Sequence, residues 1–512
     1  MKHQRTGQSM DELYVFTILK KTSIKALGYK YVTKWDHKFQ QQIKATPALK
    51  KMIMSQPITT RLNPRDSFFG GRVNAARLHH KITDDESIQY VDFTSLYPAV
   101  NKYDKYPVGH PDIIVNDFKT IDKYFGIAQV SVLPPRGLFH PVLPYRSGNK
   151  LLFPLCRTCA DTLPENDCQC TDSDRTIHGT YCTPELEKAV QMGYIITCIH
   201  EVYHWDTTTQ YNPESMKDGL FSGYINLFLT LKQQASGWPD NIPKQKYIED
   251  MLTKEGLTLD PASIEVNPAL RSLAKLLLNS LWGKFAQGDN KPQSTFIDGE
   301  NLDKFYQLMF SDSINVKNFQ IINESLIHVQ WDHKDHSVPD SKTSNIFLAT
   351  FTTCWARLRL YTILQMVGER ALYYDTDSMI YVNKPGLSAP PVGQLLGELK
   401  SELREGEFIT EFVSGGPKNY AYLTNLGAEE CKVKGFTLNY TNAQKIHFNT
   451  IKDMILSQKP LEQRITTTNP TQITRQKDHS YVYNTSQNKT YKLVYTKRKV
   501  NWQTYHTLPY GY

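Results

Sequence analysis

The chain has 512 residues, with 59 Lys and Arg against 51 Asp and Glu, a formal net charge of +8 and a pI near 8.8. Its length allows several hydrophobic cores, and its basic charge and 30 tyrosines suit a nucleic-acid partner. No apolar run reaches the ~18 residues of a membrane span, and residues 1–5 lack the apolar core of a signal peptide. We therefore expect an intracellular protein with no membrane partner.

The first candidate for chemistry is Asp92, near the end of a predicted buried strand over residues 88–93. Pro98 stops the strand soon afterwards, because proline lacks the N–H that a sheet needs. A carboxylate carried by a strand is held rigidly, and a metal ligand needs that rigidity.

A cysteine cluster follows in a polar segment. It consists of two closely spaced pairs: Cys156, Cys159, Cys168 and Cys170. Thiolates at such spacing are good tetrahedral ligands, so we expect a structural Zn²⁺. The alternatives are disulfides, which need an oxidising compartment, and unpaired loop cysteines. We expect the other four cysteines to be small core residues: Cys182, Cys198, Cys354 and Cys431.

Two helices are predicted next. Thr183 is a good N-cap for the first, and Pro184 is a good first helical residue. The second covers residues 224–232 and ends at Lys232, which could reach a phosphate group.

A third helix, residues 271–283, carries a polar face. Arg271, Lys275 and Asn279 lie four residues apart and therefore share one side. Two cations and an amide in a row suit a polyphosphate, although a solvated basic edge would give the same pattern. Four leucines are expected to pack behind this face: Leu273, Leu276, Leu277 and Leu281.

Two acidic residues form the centre of the last third of the chain. We predict strands near residues 319–331, a long helix over 346–364, and two further strands on either side of a turn with Asp375 and Asp377. A surface Asp-rich turn is the alternative. Asp92 lies 285 residues earlier, and only the fold could join it to Asp377 in a magnesium site. Residues 489–499 are predicted to form a basic strand.

Six motifs, in this order along the chain, resemble those of family B DNA polymerases. They are Phe-Gly-Gly at 69–71, Asp-x-x-Ser-Leu-Tyr-Pro at 92–98, Lys-x-x-x-Asn-Ser-x-Trp-Gly at 275–283, Tyr-Asp-Thr-Asp-Ser at 374–378, Lys-Asn-Tyr at 418–420 and Lys-Val-Lys-Gly at 432–435. The pattern is similar to the protein-primed branch, which includes adenovirus, linear-plasmid and Polinton/Maverick polymerases. Phe69 and Trp282 stand where the wider family has tyrosine.

The resemblance implies an α+β right-hand polymerase with an antiparallel-sheet palm, helical fingers, a small thumb and an insertion between the motifs of Asp92 and Lys275. The implied division is a connector from a missing exonuclease domain at 1–65, palm at 66–111, a terminal-protein-region-like insertion with the cysteine loop at 112–206, fingers at 207–288, a second such segment at 289–345, palm at 346–414 and thumb at 415–512. We expect no exonuclease activity, because about 65 residues are too few for such a domain of roughly 100–200 residues.

The resemblance also implies roles for individual residues. Catalytic roles fall to Asp92, Asp375 and Asp377, with Asp92 and Asp377 as ligands of two Mg²⁺ ions. Nucleotide binding falls to Phe93, Ser95, Leu96, Tyr97, Lys232, Arg271, Lys275 and Asn279. DNA binding falls to Gly70, Gly71, Trp282, Gly283, Thr376, Lys418, Tyr420 and Lys434, and the Lys497–Lys499 run is expected to add phosphate contacts.

The implied activity is DNA-directed DNA synthesis. Its partners would be primer-template DNA, deoxynucleoside triphosphates and a terminal priming protein, in the nucleus if the chain is a eukaryotic transposon product. The alternative is a truncated, inactive transposon relic that binds DNA and zinc. The three aspartates favour the enzyme, because a decayed copy should lose them.

Overall fold

The computed structural model describes residues 9–46, 61–239, 242–339, 341–476 and 481–512. The chain divides into two units, Met1–Arg61 and Leu62–Tyr512. In the first unit, helices span Met10–Ala26 and Asp36–Ala45. Ser9 begins the first helix through a capping box with Glu12, in which each side chain accepts the other residue's backbone N–H. Residues 1–8 and 47–60 of the predicted connector lie outside the described residues.

A nine-stranded antiparallel sheet, here called the central sheet, organises the second unit. Seven strands lie side by side in the order Val73–Ala75, Ala371–Asp375, Ser378–Asn383, Ser87–Phe93, Ile409–Gly416, Asn419–Thr424 and Glu429–Val433. Leu399–Ser401 also pairs with Ser87–Phe93, and His79–Lys81 pairs with Ile409–Gly416. The strand predicted around Asp92 and both strands predicted around Asp375 and Asp377 are confirmed.

Helices cover both faces of the central sheet because its side chains alternate between two apolar layers. Val91 and Phe93 belong to the layer under helix Ile346–Val367. Ile88 and Tyr90, one residue out of step, belong to the layer under helix Phe448–Leu456. Asn345 begins the long helix by accepting the N–H groups of the first turn, as a cap residue does.

A pair of packed helices stands beside the sheet, Ser222–Gln234 and Pro268–Phe285. Asn267 caps the second, with Pro268 at its first position. Only Ala274 and Leu278 of this helix are fully buried, whereas Leu273 and Leu276 are exposed. The predicted packing of those two leucines is therefore wrong, because the helix has neighbours on a narrower face than its leucines cover.

A second antiparallel sheet, here called the insertion sheet, lies within residues 112–204. Its strand order is Asp112–Ile114, Ile195–His204, Gly126–Leu133 and Ile177–Cys182. Helix Thr183–Gln191 follows the last of these strands. Cys182, rather than the predicted Thr183, occupies the N-cap, and the Thr183 hydroxyl instead accepts the N–H of Gly126.

The remaining elements complete the second unit. A three-stranded sheet has the order Gln293–Asp298, Leu326–His333 and Ile314–Asn323, which confirms the predicted strands in this region. Two-stranded pairs are Tyr106–Pro107 with Thr208–Thr209, Tyr145–Ser147 with Lys150–Leu152, Tyr211–Asn212 with Lys217–Asp218, Ile465–Gln476 with Tyr481–Tyr491, and Lys499–Asn501 with His506–Leu508. Further helices are Leu96–Tyr103, Arg157–Thr162, Asp172–Arg175, Lys244–Glu255, Leu302–Met309 and Tyr440–Ala443.

The sequence prediction of an α+β chain with antiparallel sheets is confirmed. The strand predicted over residues 489–499 is confirmed only at its two ends, because pairing stops at Tyr491 and starts again at Lys499. Over the described ranges, no helix has the length and apolar character needed to cross a bilayer.

Candidate active site

Two aspartates that are far apart in sequence meet at one end of the central sheet. Asp92 is the second-last residue of its strand and pairs with Ser378, directly after Asp377. The backbone N–H of Phe93 donates to the carbonyl of Asp377 over 2.7 Å, so the two segments are fixed to each other. The sheet pairing therefore brings Asp92 and Asp377 together, as the sequence predicted.

Burial and neighbouring acidic groups raise the pKa of both carboxylates, with Asp377 acting on Asp92 and Asp375 acting on Asp377. Burial raises the pKa of Asp92 to about 7, with further contributions from Asp377 and Glu402, against the opposing Lys275 and Lys432. Burial also raises the pKa of Asp377. Hard divalent ions prefer oxygen ligands, and a cation here would relieve the repulsion between the carboxylates. The donor set therefore fits Mg²⁺.

Asp375 is turned toward a different partner. Both of its carboxylate oxygens lie 2.8 Å from Lys418 Nζ, and its Oδ1 also accepts from the Thr376 hydroxyl over 3.1 Å. Thr376 has φ of 61°, the left-handed conformation that a tight turn between strands requires. The sequence analysis gave Asp375 a catalytic role without making it a principal metal ligand, and in the structure its carboxylate holds Lys418.

The cations predicted to bind polyphosphate lie on the helix pair. Arg271, Lys275 and Asn279 are exposed on helix Pro268–Phe285. Lys232, on the facing helix, lies 3.4 Å from the Ser95 hydroxyl. Burial lowers the pKa of Lys232, and Arg271 and Lys275 lower it further, so the three cations converge. Such like charges would be stabilised by an anionic ligand.

The segment after Asp92 turns sharply into helix Leu96–Tyr103. Ser95 has φ of 55°, and Leu96 is buried. The Tyr97 ring stacks on Trp282, with centroids 4.7 Å apart and planes inclined by 18°. Burial raises the pKa of Tyr97 to about 12, so its hydroxyl stays protonated. Tyr97 and Trp282 together form an aromatic wall beside the carboxylates.

The Phe-Gly-Gly segment is held close to the aspartate turn. A Cβ on Gly71 would lie 2.6 Å from the Thr376 hydroxyl oxygen, so only glycine fits there. The backbone N–H of Thr376 donates to the carbonyl of Arg72 over 2.8 Å. Gly70 and Gly283 are different, since no described atom beyond their chain neighbours and the local helix backbone lies within 4 Å of a Cβ built on either. Their open surroundings leave space for a ligand's backbone.

A buried ion pair that the sequence analysis did not single out supports this segment. Arg357 forms a two-point pair with Glu185, at 2.8 and 2.9 Å, and donates to the carbonyls of Phe69 and Gly70. Burial alone would lower the pKa of Arg357, but Glu185 raises it. No local motif marks Arg357, because its partners come from two distant parts of the chain.

A basic cleft of about 480 Å³ opens beside Asp375. Its lining includes Lys418, Lys432 and Lys434, and the latter two are exposed. Lys418 has φ of 58°, and its N–H donates to the Tyr373 hydroxyl over 2.8 Å. Tyr420, predicted to bind DNA, is buried, and its hydroxyl lies 3.1 Å from that of Tyr90.

The basic run at Lys497–Lys499 is not a phosphate-binding surface. Arg498 is 4% exposed and donates to the carbonyls of Phe139 and Thr507, while Lys499 pairs with Asp167 over 2.6 Å. Only Lys497 faces the site. Burial lowers the pKa of Lys497, and the nearby Asp375 offsets part of that shift. The predicted phosphate contact is wrong for Arg498, because a run of like charges in sequence does not show which member is buried. Lys499 is partly buried, and its charge is paired with Asp167.

Several further residues near the carboxylates were not predicted. Lys400 pairs with Asp92 on the neighbouring strand, and Glu402 lies two residues further along the chain. Lys400 lowers the pKa of Lys232, while Glu402 raises the pKa of Asp92. The short strand Leu399–Ser401 carries no motif, so only its pairing with Ser87–Phe93 reveals these neighbours.

The cysteine cluster is assembled as predicted. The sulfur atoms of Cys156, Cys159, Cys168 and Cys170 lie within 4.8 Å of one another. Cys182 and Cys354 are buried, which confirms their predicted core positions, and Cys431 is partly buried. Cys198 is exposed, so its predicted core position is wrong.

Comparison with known proteins agrees with this architecture. The family model described as DNA polymerase type B, organellar and viral, matches residues 37–254 and 245–367, well over half of the chain. The chain therefore belongs to the organellar and viral type B DNA polymerases.

Two relatives are similar to this chain in sequence, and one solved structure is similar to it in fold. A DNA polymerase of Kluyveromyces lactis is 23% identical over 70% of this chain, and a probable DNA polymerase of Neurospora intermedia is 22% identical over 73%. The chain spans about a third of these relatives, 30% and 33% of their lengths. Phi29 DNA polymerase complexed with single-stranded DNA has a similar fold, with a TM-score of 0.50 and 16% identity over 84% of this chain and 62% of that one.

Proposed function

We propose that this chain is a DNA-directed DNA polymerase that adds deoxynucleotides to a primer 3′-hydroxyl. The observation that carries the proposal is the meeting of Asp92 and Asp377 on paired strands, opposite the cations Lys232, Arg271 and Lys275. A carboxylate pair facing a cluster of cations suits a reaction whose substrate is a metal-bound triphosphate. Family membership and the named DNA polymerase relatives support the same activity.

In this proposal the acidic residues bind the metal ions and the basic residues bind the triphosphate. Asp92 and Asp377 hold two Mg²⁺ ions, which when bound stabilise the attacking and leaving oxygens of phosphoryl transfer. Lys275, Lys232 and Arg271 bind the triphosphate, with Asn279 beside them. The 3′-hydroxyl gives up its proton to water as its oxygen bonds to the α-phosphorus, and the bond from that phosphorus to the departing pyrophosphate breaks.

The backbone of residues 93–97 shapes the nucleotide site. Helix Leu96–Tyr103 begins directly after Ser95, and the N–H groups in the first turn of a helix favour a phosphate. Tyr97, held by its stack on Trp282, is placed to lie under the sugar and to exclude a 2′-hydroxyl. Asp375 acts indirectly by positioning Lys418.

DNA is proposed to run along the basic cleft of Lys418, Lys432 and Lys434, with Gly70, Gly71 and Thr376 nearby. Contacts of this kind hold the phosphate backbone and do not depend on base sequence. The central sheet would be the palm, the helix pair the fingers, and the part of residues 415–512 that lies outside that sheet the thumb. The phi29 polymerase of similar fold was captured with single-stranded DNA, which supports a nucleic-acid partner.

We further propose initiation on a terminal protein held by residues 112–206, and nuclear replication of a transposon. These steps follow from the sequence resemblance. The alternative of an inactive DNA- and zinc-binding relic is not favoured, because the catalytic carboxylates and the polymerase family match are both present.

Primer extension with the Asp377→Asn variant tests the activity. We expect extension of a DNA primer by the wild-type chain with Mg²⁺ and deoxynucleotides, and none by the variant, whose thermal unfolding should be unchanged. Asp84→Asn is the matched control, because Asp84 is an exposed acid near the same sheet. Normal extension by a folded Asp377→Asn variant would refute the site.

A further inference from the structure

Four thiols meet at one point in the loop between residues 156 and 170. Their sulfur atoms lie within 4.8 Å of one another, and all four cysteines are free thiols. A tetrahedral zinc ion with Zn–S bonds of about 2.3 Å places its sulfurs about 3.8 Å apart. The sulfurs of Cys159 and Cys170 are 3.9 Å apart, whereas a disulfide needs about 2.05 Å. The spacing is that of ligands around one ion.

The local backbone prepares these thiols for a metal. Cys156 is the N-cap of helix Arg157–Thr162, and its sulfur accepts the backbone N–H of Cys159 over 3.4 Å. This hydrogen bond fixes the position of the Cys156 sulfur at the start of the helix. Arg136 donates to the carbonyl of Cys170 and fixes the far end of the loop.

One side of the cluster is closed by a segment from elsewhere in the sequence, residues 497–512. Tyr510 is 7% exposed and packs in the same apolar cluster as the cysteines. Its carbonyl accepts the N–H of Leu155 over 2.7 Å. Gly511 has φ of 88°, and a Cβ there would lie 2.5 Å from the backbone nitrogen of Cys156. The segment is therefore in direct contact with the thiol loop.

The other end of the same segment reaches the active site. Lys497 Nζ lies 3.4 Å from the carbonyl of Val73, whose strand pairs with Asp375. The Thr507 hydroxyl donates to the carbonyls of Ala75 and Ala76 and accepts a hydrogen bond from Arg498 Nε. Residues 497–512 thus connect the cysteine cluster to the strand beside Asp375.

We propose that the four cysteines bind one structural Zn²⁺, and that this ion fastens residues 497–512 to the insertion. The bound segment then keeps Lys497 beside Asp375. Soft thiolates in tetrahedral arrangement suit zinc or iron, and zinc adds no redox chemistry to a site buried under Tyr510. The role is structural, since four protein ligands leave no open position for a substrate.

Metal analysis of the full chain tests the site itself. We expect one zinc and no iron per chain by mass spectrometry, and loss of that zinc in Cys159→Ser/Cys170→Ser. Cys198→Ser, at an exposed cysteine outside the cluster, should keep it. In case the double variant does not fold, wild-type protein stripped by a chelator is titrated with Co²⁺, which should give thiolate-to-cobalt charge-transfer absorption at one equivalent.

Three results would overturn the metal site. They are iron in place of zinc, a disulfide in the cluster by thiol counting, and a stripped wild-type chain that takes up neither Zn²⁺ nor Co²⁺. None of them bears on Asp92 or Asp377, so the polymerase proposal would stand or fall separately.

A second measurement tests the link to residues 497–512. Coupling between zinc binding and docking of the segment is reciprocal. A change that frees the segment must therefore weaken zinc binding by the same factor by which zinc strengthens docking. We expect Tyr510→Ala to lower zinc affinity about tenfold, and zinc removal to speed proteolysis within 497–512. Tyr440→Ala is the control, because that ring is 83% exposed and lies outside residues 497–512. Equal zinc affinity in Tyr510→Ala and wild type would overturn the fastening role.

Discussion

The buried pair between Glu185 and Arg357 should be coupled to both stability and DNA synthesis. Both side chains are 2% exposed, and two hydrogen bonds of 2.8 and 2.9 Å join them. Removing one partner of such a pair leaves an uncompensated buried charge, which costs about 3–5 kcal/mol. We therefore expect Glu185→Leu and Arg357→Met each to lower the free energy of unfolding by about that amount.

The double variant should be far less damaged than the two single variants together. With both charges gone, the main remaining loss is the two hydrogen bonds from Arg357 to the carbonyls of Phe69 and Gly70, each about 1 kcal/mol. Urea unfolding followed by circular dichroism gives the free energy of unfolding of the wild type, the two single variants and the double variant. The coupling energy should be at least about 2 kcal/mol in favour of the double variant.

The same cycle has a functional readout. Phe69 and Gly70 precede Gly71, which packs against Thr376 in the aspartate turn. Loss of Arg357 should therefore weaken primer extension even in the folded double variant. If the double variant lost as much stability as the two single variants added together, the reasoning would be refuted, because only independent sites give additive losses.

Two further predictions concern the sugar and the pH. Tyr97→Val should allow ribonucleotide incorporation, and an unchanged preference for deoxynucleotides would exclude Tyr97 as the barrier. Burial, with Arg498 and Arg72 adding to it, lowers the pKa of His140 to about 3. The unfolded histidine, with a pKa near 6.5, binds a proton that the folded one does not, so stability is lost as pH falls below about 6.5. From pH 7 to 5 this should cost about 2 kcal/mol in urea unfolding, and His140→Phe should remove that dependence while the exposed His110→Phe does not. Equal pH dependence in both variants would contradict it.

The sequence by itself determined the chemical groups and the local elements. The strands around Asp92, Asp375 and Asp377 could be predicted because apolar runs and tight turns depend on nearby residues. The helix with Lys275 was predictable from its four-residue spacing for the same reason. The four-cysteine cluster was also visible, because its ligands lie within 15 residues of sequence.

Only the tertiary structure decided which groups meet and which are buried. Leu273 and Leu276 look like core residues in sequence, but among the described residues nothing covers that side of the helix. Arg498 looks like a phosphate ligand, yet three parts of the chain enclose it. Whether a side chain is buried depends on residues hundreds of positions away, and a local pattern does not record them. For the same physical reason, Arg357 with Glu185 and the contact of residues 497–512 with the cysteine loop became visible only in the folded chain.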